Sequence, residues 1–260
     1  MVKPDRGDES REVARASEHG LLNGRIRLRQ HADGYRAGMD AALLAAACDA
    51  GDGDLVLEAG CGAGAALLAA AVRRPPARFV GVERDAAALE LAIANIALNR
   101  LQDRVVAQAG DVEAPMEASS LTPGGFDAAM ANPPFFDDEG ALRGPAPAKR
   151  GAWIAEGGLA AWIDFLTRAV REGGSVTLIH RADRLADLLA LLARRTGSLQ
   201  VRAVHPFADT PASRVLVRAI RAGRAPLRLL PALVLHPRAG DKHTPEAEAI
   251  FRGEADLGWL

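Results

Sequence analysis

Cysteine is scarce in this chain of 260 residues: Cys48 and Cys61 are the only two, too few for a disulfide framework. The six histidines show no pairing at metal-ligand spacing, so the sequence offers no zinc site. Long apolar runs are missing as well. The longest uncharged stretch, residues 59–72, has 14 residues and includes three glycines, whereas a membrane-spanning helix needs roughly 20 mainly apolar residues. Residues 1–20 mix acids and bases without the apolar block of a secretory leader, so the expected location is the cytoplasm. Net charge is almost absent too, at −1, and lysine is nearly replaced by arginine, 3 against 29, a bias that reads as codon composition. Nucleic-acid affinity would therefore have to come from a local basic patch. What is present, 49% apolar and 25% charged residues, is the composition of a globular protein with a buried core rather than of a disordered or fibrous one.

Along the chain, residues 1–20 read as a solvated tail, and one domain is expected over 21–260. Residues 25–29 alternate polar and apolar as a strand does. Residues 41–50 read as a helix with Asp40 near its N-cap. Short β-rich runs then alternate with helical ones: strand 54–58, helix 65–73, strand 78–83, helix 86–98, strands 105–108 and 127–130, helix 159–170, strand 175–180, helix 185–194, and strands 199–204 and 214–220. This order predicts an α/β fold, a doubly wound and mostly parallel seven-stranded sheet with helices on both faces. No helix separates the last two strands, which predicts an antiparallel hairpin at one sheet edge. Residues 227–236 are a candidate edge strand, with Pro226 and Pro231 limiting how much of the segment can be strand.

Strand 54–58 runs directly into Ala59-Gly60-Cys61-Gly62-Ala63-Gly64 and then a helix. Gly60, Gly62 and Gly64 permit a tight turn and let a ligand lie against bare backbone, with helix N-terminal amides facing it. The next strand ends at Glu83, 19 residues after Gly64, where a doubly wound fold places the carboxylate that accepts both ribose hydroxyls. Dinucleotide sites favour a third glycine one position later than Gly64, and here an acid, Glu58, closes the first strand. This arrangement resembles the first motif of class I S-adenosylmethionine-dependent methyltransferases. The resemblance implies that Glu58 and the glycine loop hold the methionine and sugar of S-adenosylmethionine, and that Asp111, after Gly110, contacts the adenine.

Asn132-Pro133-Pro134-Phe135 follows the fourth parallel strand, at the sheet edge where ligands bind in open α/β sheets. Two prolines fix the backbone and remove two donors, leaving carbonyls free to accept. The Asn132 side-chain oxygen and the Pro133 carbonyl can take the two N–H bonds of a planar amine, orienting its nitrogen for methyl transfer. Phe135 can stack on the planar substrate; the chain has 11 aromatic residues, yet sets Phe135 and Phe136 side by side. The tetrapeptide resembles the signature of methyltransferases acting on planar nitrogens: adenine N6, guanine N2 or a glutamine amide. Only 53 residues precede the first parallel strand, which leaves no room for the recognition domains of the glutamine and ribosomal guanine enzymes.

Leu22-Asn23-Gly24-Arg25 through Gln30, then Gly34-Tyr35-Arg36 and Asp40, resemble the N-terminal signature of the bacterial tRNA1(Val) (adenine-N6)-methyltransferase family. The resemblance extends to residues 233–236 and to Thr244-Pro245. Phe135 departs from the tyrosine common at its position; stacking survives the change and any role for a hydroxyl does not. The resemblance implies structured RNA, most specifically tRNA, as partner, with no membrane and no metal, and Tyr35 and Arg36 join the cofactor-binding set. Phe136, Arg143, Lys149 and Arg150 are candidate substrate contacts, the three bases toward phosphates. Arg25, Arg27, Arg29 and Arg36 form a second basic patch. Other planar nitrogens, in ribosomal RNA or a protein glutamine, remain open as targets, as does a catalytically idle module that binds RNA or protein.

Overall fold

A computed structural model describes residues 16–31, 38–134 and 158–259. Eight strands form the main sheet: β3 (Leu55–Ala59), β4 (Arg78–Glu83), β5 (Val105–Ala109), β6 (Phe126–Ala131), β7 (Val170–Arg181), β8 (Thr196–His205), β9 (Arg214–Arg221) and β10 (Arg228–Val234). Their spatial order is β10-β8-β9-β7-β6-β3-β4-β5, and β9 alone among them runs against its neighbours. Seven strands therefore present their carboxyl ends to one edge. β3 is buried along nearly its whole length, as a central parallel strand must be.

The helices α1 (Met39–Ala46), α2 (Ala65–Arg73), α3 (Ala86–Leu98), α4 (Gly158–Ala169), α5 (Leu185–Leu192) and α6 (Pro245–Arg252) cover the sheet. One core joins Leu43, Leu44, Leu67, Leu68, Phe79 and Ile250, and the other joins Leu57, Trp162, Leu166, Leu178 and Leu188. Thr244 accepts the Ala247 N–H at 3.2 Å and Pro245 opens α6, the residue pair that stops a chain from entering helix earlier. The C-terminal segment is fastened back to the body: Arg73 donates to the Ala255 carbonyl at 2.7 Å and also binds the Ile250 carbonyl, and Trp259 donates to Ala47 at 2.7 Å.

Three expectations change. The stretch expected as tail ends sooner, because β1 (Ala16–Leu21) pairs antiparallel with β2 (Ile26–His31) across a Leu22-Asn23-Gly24 turn. The sheet has eight strands instead of seven, because Arg228–Val234 adds in parallel to β8; the β8–β9 hairpin thus lies inside the edge. Pro231 is tolerated there because the register breaks between Leu230 and Leu233 and the outer side needs no partner. Finally, Gly38 precedes α1, while Asp40 lies in its first turn and turns inward to Arg214 at 3.0 Å.

Candidate active site

The carboxyl ends of β6, β3, β4 and β5 stand side by side, so Asn132, the glycine loop, Glu83 and Asp111 occupy successive positions along one edge, about 4.8 Å apart per strand. Gly60, Gly62 and Gly64 all have positive φ, at 64°, 54° and 85°, which only glycine adopts at no steric cost. At Gly60 a second constraint applies: a Cβ would sit 2.3 Å from the Trp162 ring of α4. Gly64 caps α2, whose free amides face the loop.

Glu83 reaches back to this loop. One carboxylate oxygen accepts the Gly62 N–H at 2.8 Å and the other accepts the Asp85 N–H at 2.9 Å, so the acid and the glycine turn form one unit. Glu58 is buried behind them, and its Oε2 meets no hydrogen-bond partner among the described residues. Burial, and then the charge of Glu83, push its carboxyl well above the ordinary carboxylate range. An open, buried acceptor beneath a glycine cradle fits a cofactor that carries a cationic amino-acid end.

Asn95 supports the loop from α3. Fully buried, it donates to the Ala63 carbonyl at 2.9 Å and exchanges two hydrogen bonds with the backbone of Arg29, while Asn99 does the same for Arg27. Two asparagines four residues apart on one helix face thus replace a third strand beside β2. Asp111 behaves first as a turn residue, accepting the Glu113 N–H at 2.9 Å, and stands 3.6 Å from Arg84. Cys61 packs its sulfur under Gly81, and burial raises its thiol well above the usual range, so it is a spacer.

Asn132 and Pro134 are half-buried and Pro133 is buried, directly after β6. The structure thus brings together Glu58, Gly60, Gly62, Gly64, Glu83, Asp111, Asn132, Pro133 and Pro134. Tyr35, Arg36, Phe135, Phe136, Arg143, Lys149 and Arg150 lie outside the described residues. Trp162, whose ring lies against Gly60, was not assigned to the site by the sequence. The signal for Trp162 was its rarity, one of three tryptophans, on the apolar stripe of a helix that follows the Asn132 loop. Among the described residues no group of three His, Cys, Asp or Glu side chains converges as a metal site, and no helix is long and apolar enough to cross a membrane.

Residues 50–180, half of the chain, match the family described as "Methyltransferase domain". A tRNA1(Val) (adenine(37)-N6)-methyltransferase of Porphyromonas gingivalis strain ATCC 33277 is 31% identical over 194 residues, covering 73% of this chain and 75% of that protein. The protein of the same name from strain W83 is 31% identical over 219 residues, covering 81% and 85%. Among solved structures, a predicted O-methyltransferase from Agrobacterium tumefaciens superposes with a TM-score of 0.71 at 26% identity, covering 84% of this chain and 98% of that one. The chain is accordingly an enzyme that uses S-adenosylmethionine. The chain belongs to the class I S-adenosylmethionine-dependent methyltransferases, in the tRNA1(Val) (adenine(37)-N6)-methyltransferase family.

Proposed function

We propose that this methyltransferase acts on the exocyclic N6 of an adenine in tRNA, adenine 37 of tRNA1(Val) as in the names of its Porphyromonas relatives, in the cytoplasm. The observation that carries the reading is the Asn132-Pro133-Pro134 loop on β6, one strand from the glycine cradle. S-adenosylmethionine supplies an electrophilic methyl group when bound. The chain's own part is to hold the acceptor. The Asn132 side-chain oxygen and the Pro133 carbonyl accept the two N–H bonds of the amine, which localises its lone pair and aims it toward the cradle. Glu83 takes the ribose hydroxyls, Glu58 the amino-acid end, and Asp111 the adenine side. Phe135 stacks on the target base after it leaves the anticodon-loop stack.

The test is incubation of the enzyme with labelled S-adenosylmethionine and total RNA, followed by identification of the modified nucleoside. N6-methyladenosine in tRNA is expected. Label on a ribosomal RNA base or a protein glutamine would move the target to another planar nitrogen, and cofactor binding without any transfer would mean an idle module. Asn132→Ala should keep cofactor affinity and slow single-turnover methylation by at least about 10²-fold; an unchanged rate overturns the role given to Asn132.

A further inference from the structure

β8 and β10 deliver two loops to the carboxyl edge three and four strands along from β6, about 14–19 Å from the Asn132 loop at about 4.8 Å per strand. These loops continue the pairing of their strands, Leu235 donating to the His205 carbonyl at 2.8 Å and His236 to the Pro206 carbonyl at 2.9 Å. Just beyond, flat side chains gather in a file. The Arg238 guanidinium carbon lies 4.3 Å from the centroid of the Phe207 ring. Phe207 meets His236 at 5.6 Å between centroids, His236 stacks on His243 at 5.3 Å and 29°, and His243 meets Phe251 edge to face at 4.8 Å.

The two ends of the file differ. Phe251, on α6, packs against the core, whereas the Arg238 side chain is 60% exposed. Packing of α6 accounts for the inner rings and gives no reason for a cation laid over Phe207 in solvent. That outer pair is nevertheless built firmly. The Thr210 hydroxyl donates to the Phe207 carbonyl at 2.9 Å, the Phe207 N–H points back to it at 3.2 Å, and Asp209 accepts from Arg238 Nε and Nη2 at 3.0 and 2.6 Å. With Asp209 on its edge, Arg238 gains little from a phosphate; one face rests on Phe207, and the other is what it offers a ligand. A guanidinium plane backed by an aromatic ring is a surface on which unpaired nucleobases stack. Between this pair and the Asn132 loop the edge is open: a cavity of about 390 Å³, lined by Arg181, Asp183, Ser213 and Arg214, lies where β7 and β9 meet.

We propose that Arg238 and Phe207 form a second stacking platform, which takes an unpaired base of the same RNA strand that presents its target amine at Asn132. This rests on the RNA substrate proposed above and adds to it a contact on the far side of the open edge. Because the contact is made by stacking, it contributes to affinity without releasing counterions.

The test is tRNA binding by filter retention across a range of salt. Arg238→Ala, at the exposed end of the file, and Phe207→Leu, which keeps apolar volume beside His236, should each weaken tRNA affinity about 5-fold or more at every salt concentration, with the logarithmic salt slope and the affinity for S-adenosylmethionine unchanged. Phe207→Tyr should bind as wild type does. Wild-type affinity in Arg238→Ala overturns the platform, as does a loss in Phe207→Tyr equal to that in Phe207→Leu. A slope flattened by about 1 in Arg238→Ala would show a phosphate contact and overturn the stacking. If wild type methylates an adenine in tRNA and these variants bind like it, the platform alone fails; if wild type neither binds nor methylates tRNA, the RNA reading fails and takes the platform with it.

Discussion

A single carboxyl group, that of Glu58, sets stability against ligand binding. Its Oε2 is buried without a hydrogen-bond partner among the described residues, and burial together with Glu83 raises its pKa well above the ordinary range. The folded protein therefore holds this proton more firmly than the unfolded chain does. The sign follows: the stabilising contribution is complete below the unfolded carboxylate pKa of about 4.3 and is lost as pH rises through the folded value. Glu58→Gln keeps a neutral side chain of the same shape and escapes the loss. The variant should melt higher than wild type, with a gap that widens as pH is raised from about 5 to about 8, while binding S-adenosylmethionine more weakly because a cationic amino-acid end gains nothing from an amide. Thermal melts across pH, with calorimetry of cofactor binding, check both halves. A gap independent of pH would mean that Glu58 is ionised throughout.

Elements are placed here by contacts that hydrophobic periodicity cannot report. Strand 78–83 and helix 86–98 were legible in the sequence, and both stand at those bounds. β1 was not: Ala-Ser-Glu-His-Gly-Leu has no apolar alternation, and the hairpin is held instead by Glu18 to Arg27 and Arg29 within it and by Asn95 and Asn99 behind it. The Gly-loop, Glu83 and the Asn132 loop were legible because backbone requirements select glycine and proline at fixed offsets. The place of Trp162 against Gly60 was not, since it arises from neighbours distant in sequence. Asn95 joins the two kinds of information, tying the hairpin and the Ala63 carbonyl of the cradle to one helix. Asn95→Ala would strip partners from the Arg29 backbone and from Ala63 at once. The expected loss is about 2–4 kcal/mol of stability and a several-fold weaker cofactor affinity, read by denaturant unfolding and calorimetry. Asn99→Ala, which touches the hairpin but not the cradle, should lower stability alone. Equal losses of cofactor affinity in the two variants would remove Asn95 from the support of the loop.

Over the whole molecule the carboxyl edge divides at β3 and β6. The glycine loop, Glu83 and Asp111 stand over β3, β4 and β5; with the cofactor held there as proposed, an RNA substrate would approach over β6, β7 and the strands beyond. Arginine is abundant, yet much of it is already engaged with carboxylates: Arg27 and Arg29 with Glu18, Arg73 and Arg74 with Asp256, Arg171 with Asp127, Arg214 with Asp40, and Arg218 with Asp49. Those cations gain little by exchanging one anion for another. With a net charge of −1, attraction for phosphate has to come from bases outside such pairs, and Arg143, Lys149 and Arg150 follow the Asn132 loop directly in the chain. Each phosphate they neutralise releases condensed counterions and steepens the fall of affinity with salt by about 0.7 to 0.9 in logarithmic slope. Replacing all three by glutamine should therefore flatten the salt dependence of tRNA binding by about 2 to 3 in that slope. The methylation rate at saturating tRNA should stay the same, because phosphate contacts position the RNA without choosing the base. Phe135→Ala should do the reverse, slowing the saturated reaction and leaving the slope alone, since stacking engages only the extruded base. Filter binding from low to high salt, paired with single-turnover rates, separates the two effects. A salt slope untouched by the triple substitution would mean that the RNA lies along another surface, with Arg25 of the hairpin the next to be neutralised.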